Sequence, residues 1–515
     1  MKLILEHKKY LLFILVIMLI LTSLYALNFN IITSHGDNSL YVSLANKILD
    51  PELYEKDFFL NQYTRILPYS FALILSILIT IFQSVKFAYL ILYFFLFLTF
   101  LISIYFLAFY IIKNKTAAFL VTLINIPGKR ILGGSYWGLT STIIPQIIVL
   151  ALSPIILLFF LKNYKDYKKI LILYFILGLL ANIHFLSVAI LIFILSVTYF
   201  LNNRNLKSIK FLFLFVLVFI IGALPYIIFQ SPSTEISSLE VLKIRAAVAF
   251  ITPLKIIKFI GYSIFAIILG LIGYNLKNKK NKKETDTLMK YFLSASIFLV
   301  LISLVTSQIT SLLKVQIARA SSYILLFLYI YSGYFMYLLI LKKGALAKAI
   351  LPILILLLMI LPVPTSNNNL IPTFIQDKYK NIYDNFKYNF YPDLGDFVDV
   401  NDDRESFYDL SSWANKNTLK NSLFLVPPGF EAFRSEAKRS VLVTQKDGGV
   451  SLYSSYGDKW YNLYKKLIEI YKTGSTKEFN DFAKENDVDY IITEKDTNLV
   501  LKKEYENKRY IVYSI

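Results

Sequence analysis

The stretch SSYILLFLYIYSGYFMYLLIL, residues 321–341, runs for 21 residues without a charged side chain. About 20 such residues are needed to carry a helix across the hydrocarbon core of a bilayer. Lipid offers no hydrogen-bond partners, so the backbone groups of such a segment must bond to one another. The stretch therefore predicts a membrane-spanning helix, and residues 10–28 and 254–276 are similarly long and apolar.

The same pattern recurs along the chain and predicts a polytopic α-helical membrane protein of eleven spans. The spans are residues 10–28, 66–84, 87–112, 142–161, 168–182, 185–201, 209–229, 254–276, 289–309, 319–341 and 345–362. Residues 117–126 are apolar but half as long, which predicts a re-entrant or interfacial half-helix. Lys8 and Lys9 precede the first span as they would in a signal peptide, but its length and the lack of a clean cleavage site favour a retained span.

The charge is distributed unevenly. Of 515 residues, 56% are hydrophobic and 17% are charged, whereas about a quarter of a soluble domain is charged. Residues 1–362 carry 33 Lys and Arg against 11 Asp and Glu, and residues 363–515 carry 21 against 23. The basic excess lies mainly in short membrane loops, which favours contact with anionic membrane lipids and argues against nucleic acid as a partner. The absence of cysteine excludes disulfides and thiolate metal sites.

The basic loops also predict the orientation of the chain. With eleven spans, they all fall on one side, which the positive-inside rule assigns to the cytoplasm. These loops are the N-terminus and residues 162–169, 202–210, 277–290 and 342–343. We therefore predict a multi-pass protein of the cell (inner or plasma) membrane with an extracytoplasmic C-terminal domain. An error of one span near residues 113–141 would reverse that domain.

The polar sequence that follows Pro362 marks the end of the membrane domain, residues 1–362, whose first external loop is 29–65. We predict a linker over 363–392 and a small α/β domain over 393–515. Spacing in that domain predicts helices at 406–415, 459–471 and 479–485, and strands at 422–426, 440–444, 490–493 and 509–514. The tail contains no phosphate-binding loop, dinucleotide fingerprint or nucleophile elbow.

The first external loop holds five of the eleven acidic residues of the membrane domain: Asp37, Asp50, Glu52, Glu55 and Asp57. Residues 38–49 have helical spacing with one apolar face, which predicts a helix lying along the membrane surface. Asp37 would stand at the N-terminus of this helix, where a negative charge is favoured.

This loop resembles the first external loop of the GT-C class of membrane glycosyltransferases. Those loops begin with an acidic residue in the pattern D-x-x-x-Y-x-x-x-A. In this chain the pattern is formed by Asp37, Tyr41 and Ala45. In the tail, WANKNTLKNSLFLVPP (413–428) resembles the W-x-x-x-N-T-P-x-x-[AS]-x-[VF] pattern of their external domains, with Leu419 in place of proline. NDVDYII (486–492) resembles their vDYII strand. Residues 427–449, with FRSEAKRS and QKDGG, look like a bacterial group of GT-C-like proteins that has no assigned reaction.

The resemblance implies a hexosyltransferase that moves a sugar from a polyprenyl-phosphate donor to a cell-envelope acceptor at the external membrane face. Asp37 would act as the general base, and Asp57 would supply a second carboxylate if the loop folds back. The donor phosphate calls for cationic partners. The predicted substrate-binding residues are Arg319, Lys129, Arg130, Arg65, His35 and His184. The resemblance also allows a divalent cation as cofactor, with Asp37 and His35 as possible ligands.

Plainer explanations exist for each of these residues. Asp37 serves equally well as a helix cap and Asp57 as a solvated loop residue, and Arg319 can extend to lipid headgroups. Lys129 with Arg130 can anchor the membrane interface, and His184 can be a hydrogen-bonded structural histidine. Gly133 and Gly134 fit a turn.

Two other functions stay open. Many GT-C enzymes carry paired acids in the first loop, whereas Asn38 follows Asp37 here; this favours a non-catalytic membrane scaffold or lipid-binding protein of the same fold. A transporter would place polar groups in the middle of its spans, and the predicted spans contain few apart from residues 182–184. The sugar, the acceptor and the oligomeric state are not set by the sequence.

Overall fold

The computed structural model describes residues 2–27, 37–66, 69–138, 143–229, 237–245, 249–280, 284–341, 345–360, 403–473 and 475–515. The chain divides into two compact units, and each is described by itself. The helical unit comprises Met1–Asn30, Leu90–Ile227 and Val248–Asn385, and the mixed unit comprises Ile31–Tyr89, Ile228–Ala247 and Phe386–Ile515. The first loop and the C-terminal segment therefore fold into the same unit. The boundaries predicted for the membrane domain and for the C-terminal domain stay predictions, and the linker 363–392 lies outside the described residues.

The described residues form nineteen α-helices, two 3₁₀ helices and seven strands. The helices are α1 (Lys2–Leu27), α2 (Asp37–Leu49), α3 (Phe58–Ile66), α4 (Tyr69–Phe82), α5 (Val85–Ile112), α6 (Lys115–Ile124), α7 (Pro145–Asn163), α8 (Tyr167–Asn203), α9 (Leu206–Phe229), α10 (Leu239–Arg245), α11 (Pro253–Lys280), α12 (Glu284–Thr306), α13 (Thr310–Leu313), α14 (Ser321–Leu341), α15 (Ala345–Ile360), α16 (Arg404–Asn417), α17 (Phe433–Ala437), α18 (Tyr456–Thr473) and α19 (Thr476–Glu485). The first 3₁₀ helix is Ile317–Ala320 and the second is Gln445–Leu452. The strands are β1 (Lys129–Ile131), β2 (Ser135–Trp137), β3 (Leu423–Leu425), β4 (Ser440–Val441), β5 (Tyr490–Glu494), β6 (Lys502–Glu506) and β7 (Tyr510–Ser514).

Within the described residues, seven helical segments are long and apolar enough to cross a membrane, which confirms the multi-pass membrane class. They are α5, α7, α8, α9, α11, α12 and Thr310–Leu341, which ends in α14. An eighth is added if α3 and α4, bent by 109°, are counted as one span. The predicted half-helix is present as α6, an apolar helix of 10 residues. The count of eleven spans and the orientation of the chain stay predictions.

Helix α8 reverses direction at His184, whose φ of −155° and ψ of 89° are not helical. Tyr174 Oη and Ser196 Oγ, 22 residues apart in sequence, lie only 2.7 Å apart. A straight helix would separate them by about 33 Å, at a rise of about 1.5 Å per residue. The two halves of α8 therefore fold back on each other, which agrees with the separate segments predicted at 168–182 and 185–201.

Asn182 joins the end of this hairpin to α9. Proline has no backbone N–H, so Pro225 leaves one hydrogen bond of α9 unmade. The side-chain amide of Asn182 bonds to backbone groups of α9 on either side of Pro225. Its Oδ1 accepts from the N–H of Tyr226 at 2.8 Å, and its Nδ2 donates to the carbonyl of Gly222 at 3.0 Å. These two backbone groups would bond to each other in a regular helix. The helices touch at Gly178, where an added Cβ would lie 2.3 Å from a carbonyl oxygen of α9.

The mixed unit contains a five-stranded sheet in the order β4-β3-β5-β7-β6. Strands β4, β3 and β5 run parallel, and β7 and β6 complete the sheet antiparallel to their neighbours. Apolar side chains of α16 and the sheet form its core, including Phe407, Phe424 and Tyr510. The predicted small α/β pattern at the C-terminus is confirmed. Strand β6, KKEYE, was not predicted because its exposed, charged side chains are those of an edge strand.

Candidate functional site

Asp37 is the first residue of α2, the position that the sequence predicted, and its side chain is 46% exposed. Its Oδ1 lies 2.9 Å from Nζ of Lys446, which comes from the second 3₁₀ helix. An ion pair this exposed contributes little to stability. The carboxylate is therefore accessible to a ligand while the ammonium group of Lys446 balances its charge.

Several tyrosines lie near this ion pair. Tyr41, one turn after Asp37 on α2, is buried; burial and the negative charge of Asp37 raise its pKa well above the ordinary value. Tyr453, Tyr89 and Tyr63 act on Tyr41 in the same direction, which places them near it as well. The exposed carboxylate of Asp37 and the ammonium group of Lys446 together offer acceptors and donors to a polyhydroxylated or phosphorylated ligand.

Asp57 lies immediately before α3 and is fully buried. Its carboxylate accepts from Arg434 Nε at 2.6 Å and Nη2 at 3.2 Å, and from the backbone N–H groups of Leu60 at 2.9 Å and Val441 at 3.0 Å. A general base must reach the proton that it abstracts, and Asp57 has no exposed surface. These contacts indicate a structural role for Asp57; its catalytic role stays a prediction, and this burial weighs against it.

Arg434 binds a second carboxylate, that of Asp447, through Nη1 to Oδ1 and Nη2 to Oδ2, both at 3.0 Å. The three side chains, which we call the Arg434 cluster (Asp57, Arg434 and Asp447), are at most 3% exposed. Burial acts to lower the pKa of Arg434, but Asp447 and Asp57 together raise it above its ordinary value. The cluster therefore pairs one cation with two acids, and Lys47 of α2 adds a second positive charge that interacts with Asp57.

The second 3₁₀ helix carries both Lys446 and Asp447 and is fixed at several points. Asp447 Oδ2 accepts from the backbone N–H of Thr444 at 2.7 Å and from its hydroxyl at 2.9 Å, which caps the helix. Tyr63 Oη of α3 donates to the carbonyl oxygens of Lys446 at 2.9 Å and Asp447 at 3.1 Å. Trp460 Nε1 donates to the carbonyl of Thr444 at 2.8 Å. The backbone of Lys446 is therefore held in place.

Residues 405–454 match a family described as "Domain of unknown function (DUF6798)". The matched stretch contains Arg434, Lys446 and Asp447. Their acidic partners Asp37 and Asp57 lie outside it, in the first loop. A comparison with curated proteins finds no match to this chain. The match thus covers one side of the Lys446–Asp37 and Arg434–Asp57 pairs and assigns no reaction to them.

Arg434, Lys446 and Asp447 were not among the residues that the sequence singled out. They lie in FRSEAKRS and QKDGG, two segments named above only for their resemblance to GT-C-like proteins. The one local signal is that QKDGG directly follows the predicted strand 440–444, where a turn places polar side chains near a strand end. That signal does not identify a partner in the first loop.

Lys129 lies on β1 in the helical unit and is fully buried. Its Nζ donates to the carbonyl of Pro127 at 2.8 Å and stands 5.2 Å from the ring centre of Tyr329. Burial lowers the pKa of Lys129 well below its ordinary value. Phosphate binding by Lys129 stays a prediction, and this burial weighs against it.

The structure brings Arg319 and His184 together in the helical unit, close enough to interact electrostatically. The aliphatic part of Arg319 packs over Gly133, where an added Cβ would lie 3.2 Å from Arg319 Cγ. Gly133 has a φ of +78° and forms the turn between β1 and β2. His184 Nδ1 accepts from the backbone N–H of Ser187 at 3.2 Å. The guanidinium of Arg319 suits an anionic ligand.

The remaining candidates are more scattered. Arg65 is exposed near the end of α3, in the mixed unit. His35 and the side chain of Arg130 lie outside the described residues. Among the residues that the structure does describe, no group of three or more His, Asp or Glu side chains is arranged to hold a metal ion.

Proposed function

We propose that this chain is a GT-C-like membrane glycosyltransferase, which moves a sugar from a polyprenyl-phosphate donor to an acceptor of the cell envelope. The observation that supports it is Asp37, an accessible carboxylate at the N-terminus of a helix in the loop after the first apolar segment. In this proposal Asp37 removes the proton of the acceptor hydroxyl. The acceptor oxygen then bonds to the anomeric carbon, and polyprenyl phosphate leaves with the electrons of the broken bond.

The leaving phosphate gains negative charge as this bond breaks, and fixed cationic groups stabilise such charge. Arg319 is the favoured residue because a guanidinium binds phosphate oxygens in two-pronged geometry. His184 lies close enough to Arg319 to interact with it electrostatically.

We also propose that the first loop and the C-terminal segment, which fold together in the mixed unit, lie on the non-cytoplasmic face of the cell membrane. Besides 113–141 and 310–319, which belong to the helical unit, the eleven-span topology places three segments outside: 29–65, 230–253 and the tail. They overlap the three stretches of the mixed unit, Ile31–Tyr89, Ile228–Ala247 and Phe386–Ile515. Polar segments that form ion pairs with one another belong on one side of a bilayer, and the pairs between the first loop and the C-terminal segment therefore support the predicted topology.

A second candidate function is a non-catalytic, lipid-binding membrane protein of the same fold. The burial of Asp57 supports this candidate, because it leaves Asp37 as the accessible acid of the two that the sequence offered. Such a protein would bind a polyprenyl-phosphate sugar without cleaving it, and Asp37 would then serve only as the cap of α2.

Donor turnover distinguishes the two functions. The purified chain in lipid nanodiscs would receive polyprenyl phosphate bearing each of several radiolabelled sugars, together with envelope extract, and released polyprenyl phosphate would be measured. The transferase predicts that Asp37→Asn lowers turnover by about 10²- to 10⁴-fold, the usual contribution of a general base. Asp50→Asn is the matched control, because Asp50 follows the other end of α2 and pairs with Lys420. Donor binding without turnover, equal in wild type and Asp37→Asn, supports the second candidate.

A further inference from the structure

We infer that Lys446 is a positioning residue for Asp37, so that the C-terminal part of the chain completes the catalytic site of the first loop. This inference rests on the proposed function of Asp37. It adds a role for the second 3₁₀ helix, Gln445–Leu452, which lies in the matched stretch 405–454.

Lys446 differs from the other lysines that bridge the first loop and the C-terminal segment. In the described part of the chain, Lys420 bridges to Asp50 and Lys56 to Asp489, and their side chains are 53% and 37% exposed. Lys446 is 24% exposed. Because it is the least exposed of the three lysines, the side chain of Lys446 is the least free to change its rotamer. Of these three lysines, only Lys446 contacts a candidate catalytic acid.

Hydrogen bonds hold the backbone that presents Lys446. Tyr63 Oη donates to the carbonyls of Lys446 and Asp447. The close approach depends on Gly449, where an added Cβ would lie 2.6 Å from that hydroxyl oxygen. A side chain can hold a catalytic group in place only when its own support is fixed in this way.

The Arg434 cluster also helps to hold the backbone of Lys446 in place. Arg434 holds Asp447, the neighbour of Lys446, and at the same time holds Asp57 of the first loop. A buried ion cluster gives little net stability compared with apolar packing of the same volume, and fixing one arrangement is its better-attested use. Arg434 therefore acts on Asp37 indirectly, through Asp447 and then Lys446.

An ammonium group 2.9 Å from Asp37 Oδ1 favours one orientation of a carboxylate that would otherwise rotate. A misplaced base slows the chemical step, whereas donor binding in the ground state does not depend on that orientation. Loss of Lys446 should therefore lower kcat and leave the donor KM close to that of the wild type. A purely structural role would instead lower the amount of folded protein and leave the kcat of the folded fraction unchanged.

The test compares three variants in the donor-turnover assay, with activity normalised to folded protein. Lys446→Gln should lower kcat by about 10- to 100-fold, the range caused by misplacing a group by about 1 Å. Lys446→Arg keeps the charge and should recover most of the loss. Lys420→Gln is the matched control, because it removes a lysine that bridges the same two stretches without contacting Asp37.

A crosslinking measurement tests the geometry without enzyme activity. The chain has no cysteine, so Asp37→Cys combined with Lys446→Cys creates one pair for a short bis-maleimide. The crosslink should form in that double variant and not in Asp50→Cys with Lys446→Cys. Absence of the crosslink overturns the inference. Wild-type kcat in Lys446→Gln, with Asp37→Asn inactive, overturns the inference and leaves the proposed function standing. Unchanged turnover in Asp37→Asn overturns both.

Discussion

Arg434 and Asp57 form a two-pronged ion pair in which Nε and Nη2 of the guanidinium reach separate carboxylate oxygens at 2.6 and 3.2 Å. The two residues are 377 positions apart in sequence. The planar guanidinium matches a carboxylate in this way, whereas a lysine ammonium cannot. This pair therefore ties the first loop to the C-terminal segment within one unit.

Removal of the guanidinium should destabilise the mixed unit strongly. Arg434→Met leaves two buried carboxylates without their cation, and breaking a buried pair costs about 3–5 kcal/mol. Arg509→Met is the control, because the pair of Arg509 with Glu494 is partly exposed and such pairs contribute about 0–1 kcal/mol. Thermal unfolding of the purified chain checks the difference. Equal shifts in melting temperature for the two variants would contradict a special role of the cluster.

Parts of the fold that depend on local sequence could be predicted. An apolar run of sufficient length specifies a membrane helix wherever it occurs, and Asp37 stands at the start of α2 because a helix N-terminus favours negative charge. The turn at His184 was also visible, as the polar break between two apolar segments. These features need no information about distant residues.

The Arg434 cluster could not be predicted, because neither the first loop nor FRSEAKRS contains a pattern that specifies the other. Asp57 illustrates the consequence. An acidic residue in a polar loop is expected to be exposed to solvent. Asp57 is buried instead because Arg434 of the C-terminal segment pairs with it. Strand β6 was missed for a related reason, since pairing with β7 decides its conformation and its charged side chains do not.

Close helix contact at Gly178 should make substitution there costly. A Cβ at Gly178 would lie 2.3 Å from a carbonyl oxygen of α9, so the helices must separate. Overpacking of this kind costs about 1–3 kcal/mol. A Cβ added at Gly261 of α11 would meet no neighbouring atom of the described residues within 4 Å, so Gly261→Ala should stabilise by about 0.5–1 kcal/mol through helix propensity. Melting curves of the helical structure should show a lower melting temperature for Gly178→Ala and a higher one for Gly261→Ala than for the wild type.

Asn182 should matter for the same helix pair through hydrogen bonding. Asn182→Ala removes the amide that bonds Tyr226 N–H and the carbonyl of Gly222. Unsatisfied polar groups of this kind cost about 1–3 kcal/mol. Asn202→Ala is the control, because the Asn202 amide lies 3.5 Å from Asn203 Oδ1, at the outer limit of a hydrogen bond. If Asn182→Ala and the control have the same melting temperature, the N–H of Tyr226 and the carbonyl of Gly222 bond to each other once the amide is gone, and the prediction is wrong.

The buried amine of Lys129 should make stability depend on pH. Burial lowers its pKa in the folded chain, while in the unfolded chain the pKa is about 10.4. Between these two values the unfolded state binds more protons, so stability rises with pH over that range and is fully present only above the unfolded pKa. Lys129→Met should remove this dependence and raise the melting temperature, most at the acid end of the range. Lys168→Met, at an exposed position of α8, should give no such gain. If Lys129→Met keeps the wild-type slope of melting temperature against pH, the amine carries its proton in the folded chain, and phosphate binding by Lys129 regains support.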